Sequence, residues 1–113
     1  MLVQVKTDNH LVGTAELSAH IETTLESSLG RYGDQITRVE VYLADENSHK
    51  KGEGDKRCTL EARLKGLDPI AATGNGDDVD QAIDDAIDRL LKALDARVGR
   101  LANKKGRTSF AGD

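Results

Sequence analysis

Tryptophan is absent from this chain, and one phenylalanine and two tyrosines are its only aromatic residues. So few rings provide no stacking platform for single-stranded bases and no ring-lined flavin pocket. One cysteine, Cys58, excludes an internal disulfide and suits a reducing cytoplasm. No apolar run approaches the length of a membrane span. The start, Met1-Leu2-Val3-Gln4-Val5-Lys6, lacks the basic and apolar regions of a secretory signal. His10, His20 and His49 have no partner at metal-ligand spacing, and there is no C-x-x-C or H-x-x-x-H pattern. The Gly74-Asn75-Gly76 string lacks the Gly-Lys-Ser/Thr ending of a phosphate loop, and the aspartates after it would repel phosphate. The expectation is no metal, no cofactor, no small-molecule substrate and no membrane partner.

What is present is charge, unevenly placed. The net charge is −4, from 16 basic and 20 acidic side chains in 113 residues. Residues 77–88 hold six aspartates and no base, whereas residues 89–107 hold seven bases and one acid, Asp95. Local potential decides what binds where, so an acidic chain can still present a basic surface.

The length allows one domain with one thin core. Leu2–Thr7 reads as a strand. Leu17, Ile21, Leu25 and Leu29 mark a helix from Ala15 to about Leu29, with Thr14 as its N-cap and Gly30 and Gly33 at its end. Residues 36–44 alternate Val39, Val41 and Leu43 with Arg38, Glu40 and Tyr42, which predicts a strand with one wet face. A polar loop over 45–55, with Lys50 and Lys51, is expected to be mobile and able to order on a partner. Residues 56–65 alternate again and put Cys58 on the inward face as a structural thiol. A turn at 66–69 leads to a short strand, Ile70–Thr73, and Gly74–Asp77 is expected to be a loop. A long helix follows, with Val79, Ile83, Ile87, Leu90, Leu94, Val98 and Leu101 in one stripe. Asp80, Asp84 and Asp88 share a side of it and read as a solvated face suited to the helix dipole.

The order β-α-β-β-β-α implies an α+β fold, a four-stranded mixed sheet with two helices packed on one face. Residues 1–101 would form the single domain and 102–113 a flexible polar tail. The other sheet face must meet water or a partner. Arg89, Lys92 and Arg100 fall within about 80° of one another on a helical wheel, and Lys104 and Lys105 extend them into the tail. Lys6, Arg57, Arg63 and Lys65 are the candidate cations of the open sheet face. No nucleophile and base, and no acid pair, can be assembled, so no enzyme is expected.

Three strings add to this reading. Val3-Gln4-Val5 with Thr7 and Asn9 precedes an amphipathic helix. Arg31-Tyr32-Gly33-Asp34-Gln35-Ile36-Thr37-Arg38-Val39 has the form aromatic-x-Asp-x-Ile. Asp78-Val79-Asp80-Gln81-Ala82-Ile83-Asp84 runs on into Asp88-Arg89-Leu90 and Leu94. In order and spacing they resemble the ribosome hibernation-promoting factor family, also called ribosome-associated inhibitors or sigma-factor modulation proteins, over about residues 2–100. The resemblance is to the short form, without the second, dimerising domain.

It implies the β-α-β-β-β-α fold and a cytoplasmic protein that binds the small ribosomal subunit near the decoding channel. There it would exclude messenger and transfer RNA under stress or in stationary phase, with ribosomal RNA as partner. Arg89 and Lys92 stand where the family has bases facing that RNA. The chain also departs from the family. Residues 18–28 of the first helix hold Glu22 and Glu26 and no Lys or Arg, Asp80 replaces a usual aromatic, and Ala96 and Val98 stand where bases are common. These changes reduce the phosphate-dependent part of affinity. A second reading therefore stays open: a protein-interaction module on the same scaffold, with RNA binding weakened or lost.

Overall fold

Alternation of apolar and polar residues builds the sheet. A computed structural model describes the backbone of residues 1–7, 15–45 and 56–106, and their side chains as far as Val98. The strands are β1 (Leu2–Thr7), β2 (Ile36–Asp45), β3 (Lys56–Leu64) and β4 (Ile70–Gly76). The helices are α1 (Ala15–Ser28) and α2 (Val79–Gly106), with a 3-10 turn at Gly30–Tyr32. The sheet order is β1-β2-β3-β4. β1 and β2 are parallel, as the helical crossover requires, and the other neighbours are antiparallel.

The expected element order and mixed sheet are therefore what the chain adopts. Val39, Val41, Leu43, Cys58, Leu60 and Ala62 point to the helical side and are buried. Ile21 and Leu25 from α1 and Leu29 just past its end, with Ile83, Leu90 and Leu94 from α2, cover them. Cys58 is fully buried, and burial pushes its thiol pKa up to about 12, so at neutral pH it remains a protonated packing group.

β4 is longer than the alternation predicts. Gly74 and Gly76, expected in a loop, pair with Cys58 and Lys56 inside the ladder. The reason is packing: α2 lies directly on this strand, and a side chain at either glycine would collide with helix backbone. Ala82 and Ala86 supply the matching small surface on α2, and both are fully buried. Among the described glycines, Gly66 in the β3–β4 turn has a left-handed backbone, φ 71°.

The start of α2 is closed by a reciprocal cap. Asp78 Oδ1 accepts the Gln81 N–H at 2.8 Å, and Gln81 Oε1 accepts the Asp77 N–H at 2.8 Å. The helix continues past Leu101 to Gly106. The Thr14 cap and most of the 45–55 loop, including Lys50 and Lys51, lie outside the described residues, as do residues 107–113. Among the described residues no helix is long and apolar enough to cross a membrane.

Candidate nucleic-acid interface

The two proposed basic surfaces differ in how their charges are arranged. On α2, Arg89 and Lys92 are exposed, with side chains 62% and 77% accessible. Each is paired one turn back: Arg89 Nε lies 3.2 Å from Asp85, and Lys92 Nζ lies 3.1 Å from Asp88. The helix face therefore alternates in sign. Such pairs are worth only a few tenths of a kcal/mol, about 0.2–0.5, so they do not prevent the cations from meeting phosphate. Asp85 has a further role, since it accepts the Asn75 N–H at 3.0 Å. That bond, helped by Arg89, holds its carboxyl below the usual aspartate range. Arg100, Lys104 and Lys105 belong to the described helix backbone, but their side chains lie outside the described residues.

On the open sheet face, strand register brings cations together that are far apart in the chain. Arg38 of β2 is the cross-strand partner of Arg63 of β3. Lys6 of β1 is the partner of Tyr42, and Arg57 projects from the neighbouring end of β3. Lys65 lies just past the end of β3, exposed, with its N–H donated to Gln35 at 2.9 Å, so it flanks the ladder. The helix bases and the sheet-face bases are on different sides of the domain, because the helices cover the opposite face of the sheet.

Glu40 organises the sheet-face set. Its side chain is 8% accessible although its strand position faces outward. Tyr42 donates its hydroxyl to Glu40 Oε1, and Lys6 Nζ lies 3.7 Å from the same oxygen. Arg38 Nε lies 3.2 Å and Arg63 Nε 3.8 Å from Oε2. The Tyr42 hydroxyl, with the charges of Arg38, Lys6 and Arg63, holds this carboxyl below the usual glutamate range against the opposing effect of burial. The same bond raises the Tyr42 phenol. Lys6 also sits 5.3 Å from the centroid of the Tyr42 ring, a cation–π contact. Arg38 donates in addition to Gln4 Oε1, and Arg63 Nη2 lies 3.5 Å from Glu61.

Arg38 and Glu40 were not among the sequence-based candidates. The signal was present but incomplete. Arg38, Glu40 and Tyr42 alternate on one strand face, yet only the register places Arg63 and Lys6 around the same carboxylate.

The helices are tied to each other away from this face. His20 Nε2 lies 3.2 Å from Asp80. At the other end Asp95 Oδ1 receives the Tyr32 hydroxyl and Arg31 Nη2, the latter at 2.7 Å. The hydrogen bond to Asp95 raises the Tyr32 phenol above its ordinary value. Among the described residues the outward side of α1 carries Glu16, Glu22 and Glu26 and no Lys or Arg.

Comparison with known proteins gives one family. The family model described as Sigma 54 modulation protein / S30EA ribosomal protein matches residues 3–102. Among solved structures, the N-terminal domain of Protein Y from Thermus thermophilus aligns with a TM-score of 0.67 at 22% identity, covering 85% of this chain and 98% of that one. A ribosomal subunit interface protein from Coxiella burnetii aligns with a TM-score of 0.65 at 19% identity, covering 88% and 99%. A search of curated proteins finds no match.

Proposed function

The chain belongs to the Sigma 54 modulation protein / S30EA ribosomal protein family, and from that premise we propose that it is a ribosome-associated translation inhibitor. It binds the small subunit near the decoding channel and holds ribosomes idle under stress or in stationary phase. Nothing is turned over. Binding uses phosphate contacts that read shape and charge rather than base sequence. The observation that carries the reading is the family match across residues 3–102. The names of the structural neighbours, a ribosomal subunit interface protein among them, support it. The open sheet face supports it physically, with Lys6, Arg38, Arg57 and Arg63 set against Glu40 and Glu61. Arg89, Lys92 and the bases farther along α2, Arg100, Lys104 and Lys105, form the second contact in this proposal.

One set of observations favours a different partner. The exposed side of α1 is acidic, and Arg89 and Lys92 are each matched by an aspartate. A protein-interaction module with weak RNA affinity would show the same pattern. Sedimentation of the purified protein with purified small subunits at two salt concentrations separates the readings. A ribosome binder pellets with the subunits and is released as salt rises. Absence from the subunit pellet at low salt overturns the ribosomal reading and leaves the protein-interaction reading.

A further inference from the structure

Glu40 has no obvious reason to be on an RNA-binding face, because a carboxylate repels phosphate. Its surroundings supply one. Arg38 and Arg63 are direct cross-strand partners, an arrangement in which like charges repel. Left to themselves, the two guanidinium groups and the Lys6 ammonium would swing apart into water. Glu40 Oε2 forms ion pairs with both arginines, 3.2 Å from Arg38 Nε and 3.8 Å from Arg63 Nε, while Oε1 accepts the Tyr42 hydroxyl and lies 3.7 Å from Lys6 Nζ, so the carboxylate draws all three cations toward one point. Its own oxygens are covered, with the side chain 8% accessible. A guanidinium carries five N–H donors in a fixed fork. Among the described residues Arg38 donates through Nη2 to Gln4 and Arg63 through Nη2 to Glu61, while their Nε atoms make only ion-pair contacts with Glu40, so each arginine keeps further donors for a partner.

We propose that Glu40 is a positioning residue: it holds Lys6, Arg38 and Arg63 as a preformed cradle on the open sheet face, and that cradle takes the phosphate backbone of RNA. The identification of RNA rests on the ribosomal reading above together with the charge of the face, where among the described strand residues Lys6, Arg38, Arg57 and Arg63 stand against Glu40 and Glu61. Preorganisation is the reason a carboxylate helps here. Cations already fixed in place lose less freedom when they meet phosphate than cations on mobile stems.

The sign of one substitution tests this. Glu40→Gln keeps the shape and adds one unit of positive net charge. If the face acts only through total charge, the variant binds RNA more tightly. If Glu40 positions the cations, the variant binds more weakly in spite of the added charge. The probes are purified small subunits and an RNA duplex of about 16 base pairs, each titrated over a range of salt. We expect a loss of roughly fivefold to tenfold in affinity for both. We also expect the slope of log K against log salt to shrink by about 0.9 for each phosphate contact released. A purely structural role would lower the unfolding temperature without moving that slope. Equal or tighter binding by the folded variant, with an unchanged slope, overturns the proposal.

The parent protein separates this proposal from the ribosomal reading. Duplex binding that depends on Glu40, without pelleting on subunits, keeps the cradle and removes the ribosome. Pelleting that ignores Glu40→Gln keeps the ribosome and removes the cradle. Weaker pelleting with no effect on the duplex assigns the cradle to an acidic protein and overturns RNA. Binding to neither probe overturns both. Should Glu40→Gln not fold, Arg38→Gln with Arg63→Gln decides: the cradle requires the same loss of affinity and slope, and unchanged binding refutes it.

Discussion

Gly74 lies so close beneath Ala82 that a Cβ at Gly74 would stand 2.7 Å from the Ala82 carbonyl oxygen. The Asp85 and Ala86 backbone is in the way as well. None of these atoms is the end of a flexible side chain, so nothing can swing aside.

Gly74→Ala should therefore push α2 away from β4 and destabilise the domain by about 2 kcal/mol or more, above the usual cost of a point substitution. Chemical unfolding followed by circular dichroism measures it. A change near zero would mean that the helix does not rest on this strand.

Asp85 and Glu40 should make the domain sensitive to acid. Both carboxyls are held below their ordinary values of 3.8 and 4.5, Asp85 first by the Asn75 N–H and Glu40 first by the Tyr42 hydroxyl. In acid the unfolded chain takes up these protons before the native state does. The stabilisation is thus complete above the ordinary values and is lost as pH falls through the lowered ones. The thermal unfolding midpoint should hold level from neutral pH to about pH 5 and then fall steeply toward about pH 3. Asp85→Asn should flatten that fall, and an equally steep curve for the variant would refute the assignment.

Cys58 should be inert in the native state. It is fully buried, and its thiol is pushed up to about 12. A chromogenic disulfide reagent at neutral pH should label it slowly in buffer and rapidly in denaturant. Rapid stoichiometric labelling of the folded protein would contradict the register, because a slip of one residue turns Cys58 outward.

Reversing Arg89 and Lys92 to glutamate together should weaken binding to small subunits strongly and make its salt dependence shallower. Both side chains are exposed, so the fold should survive. The cost is two like-charge contacts with Asp85 and Asp88, each about 0.2–0.5 kcal/mol. Sedimentation at two salt concentrations, with circular dichroism as the folding control, checks this. Unchanged affinity would remove the α2 bases from the contact and leave the open sheet face.

Much of this protein follows from local pattern. Alternation over residues 36–44 and 56–65, and the stripe from Val79 through Leu94, determine strands and helix because each exposes one apolar face that must be buried. The inward orientation of Cys58 follows from the same period of two. The β4 glycines read as loop in the sequence because flexibility and close packing call for the same residue, and only a neighbouring helix distinguishes them. The candidate site divides along the same line. Exposure of Arg89 and Lys92 on α2 is legible from a helical wheel, since their partners Asp85 and Asp88 are one turn away in the chain. The gathering of Lys6, Arg38 and Arg63 around Glu40 is not, because residues from three strands meet there. Which side chains face each other across strands depends on register. Register is set by the packing of the whole sheet against α1 and α2, so that relationship was decided only in the tertiary structure.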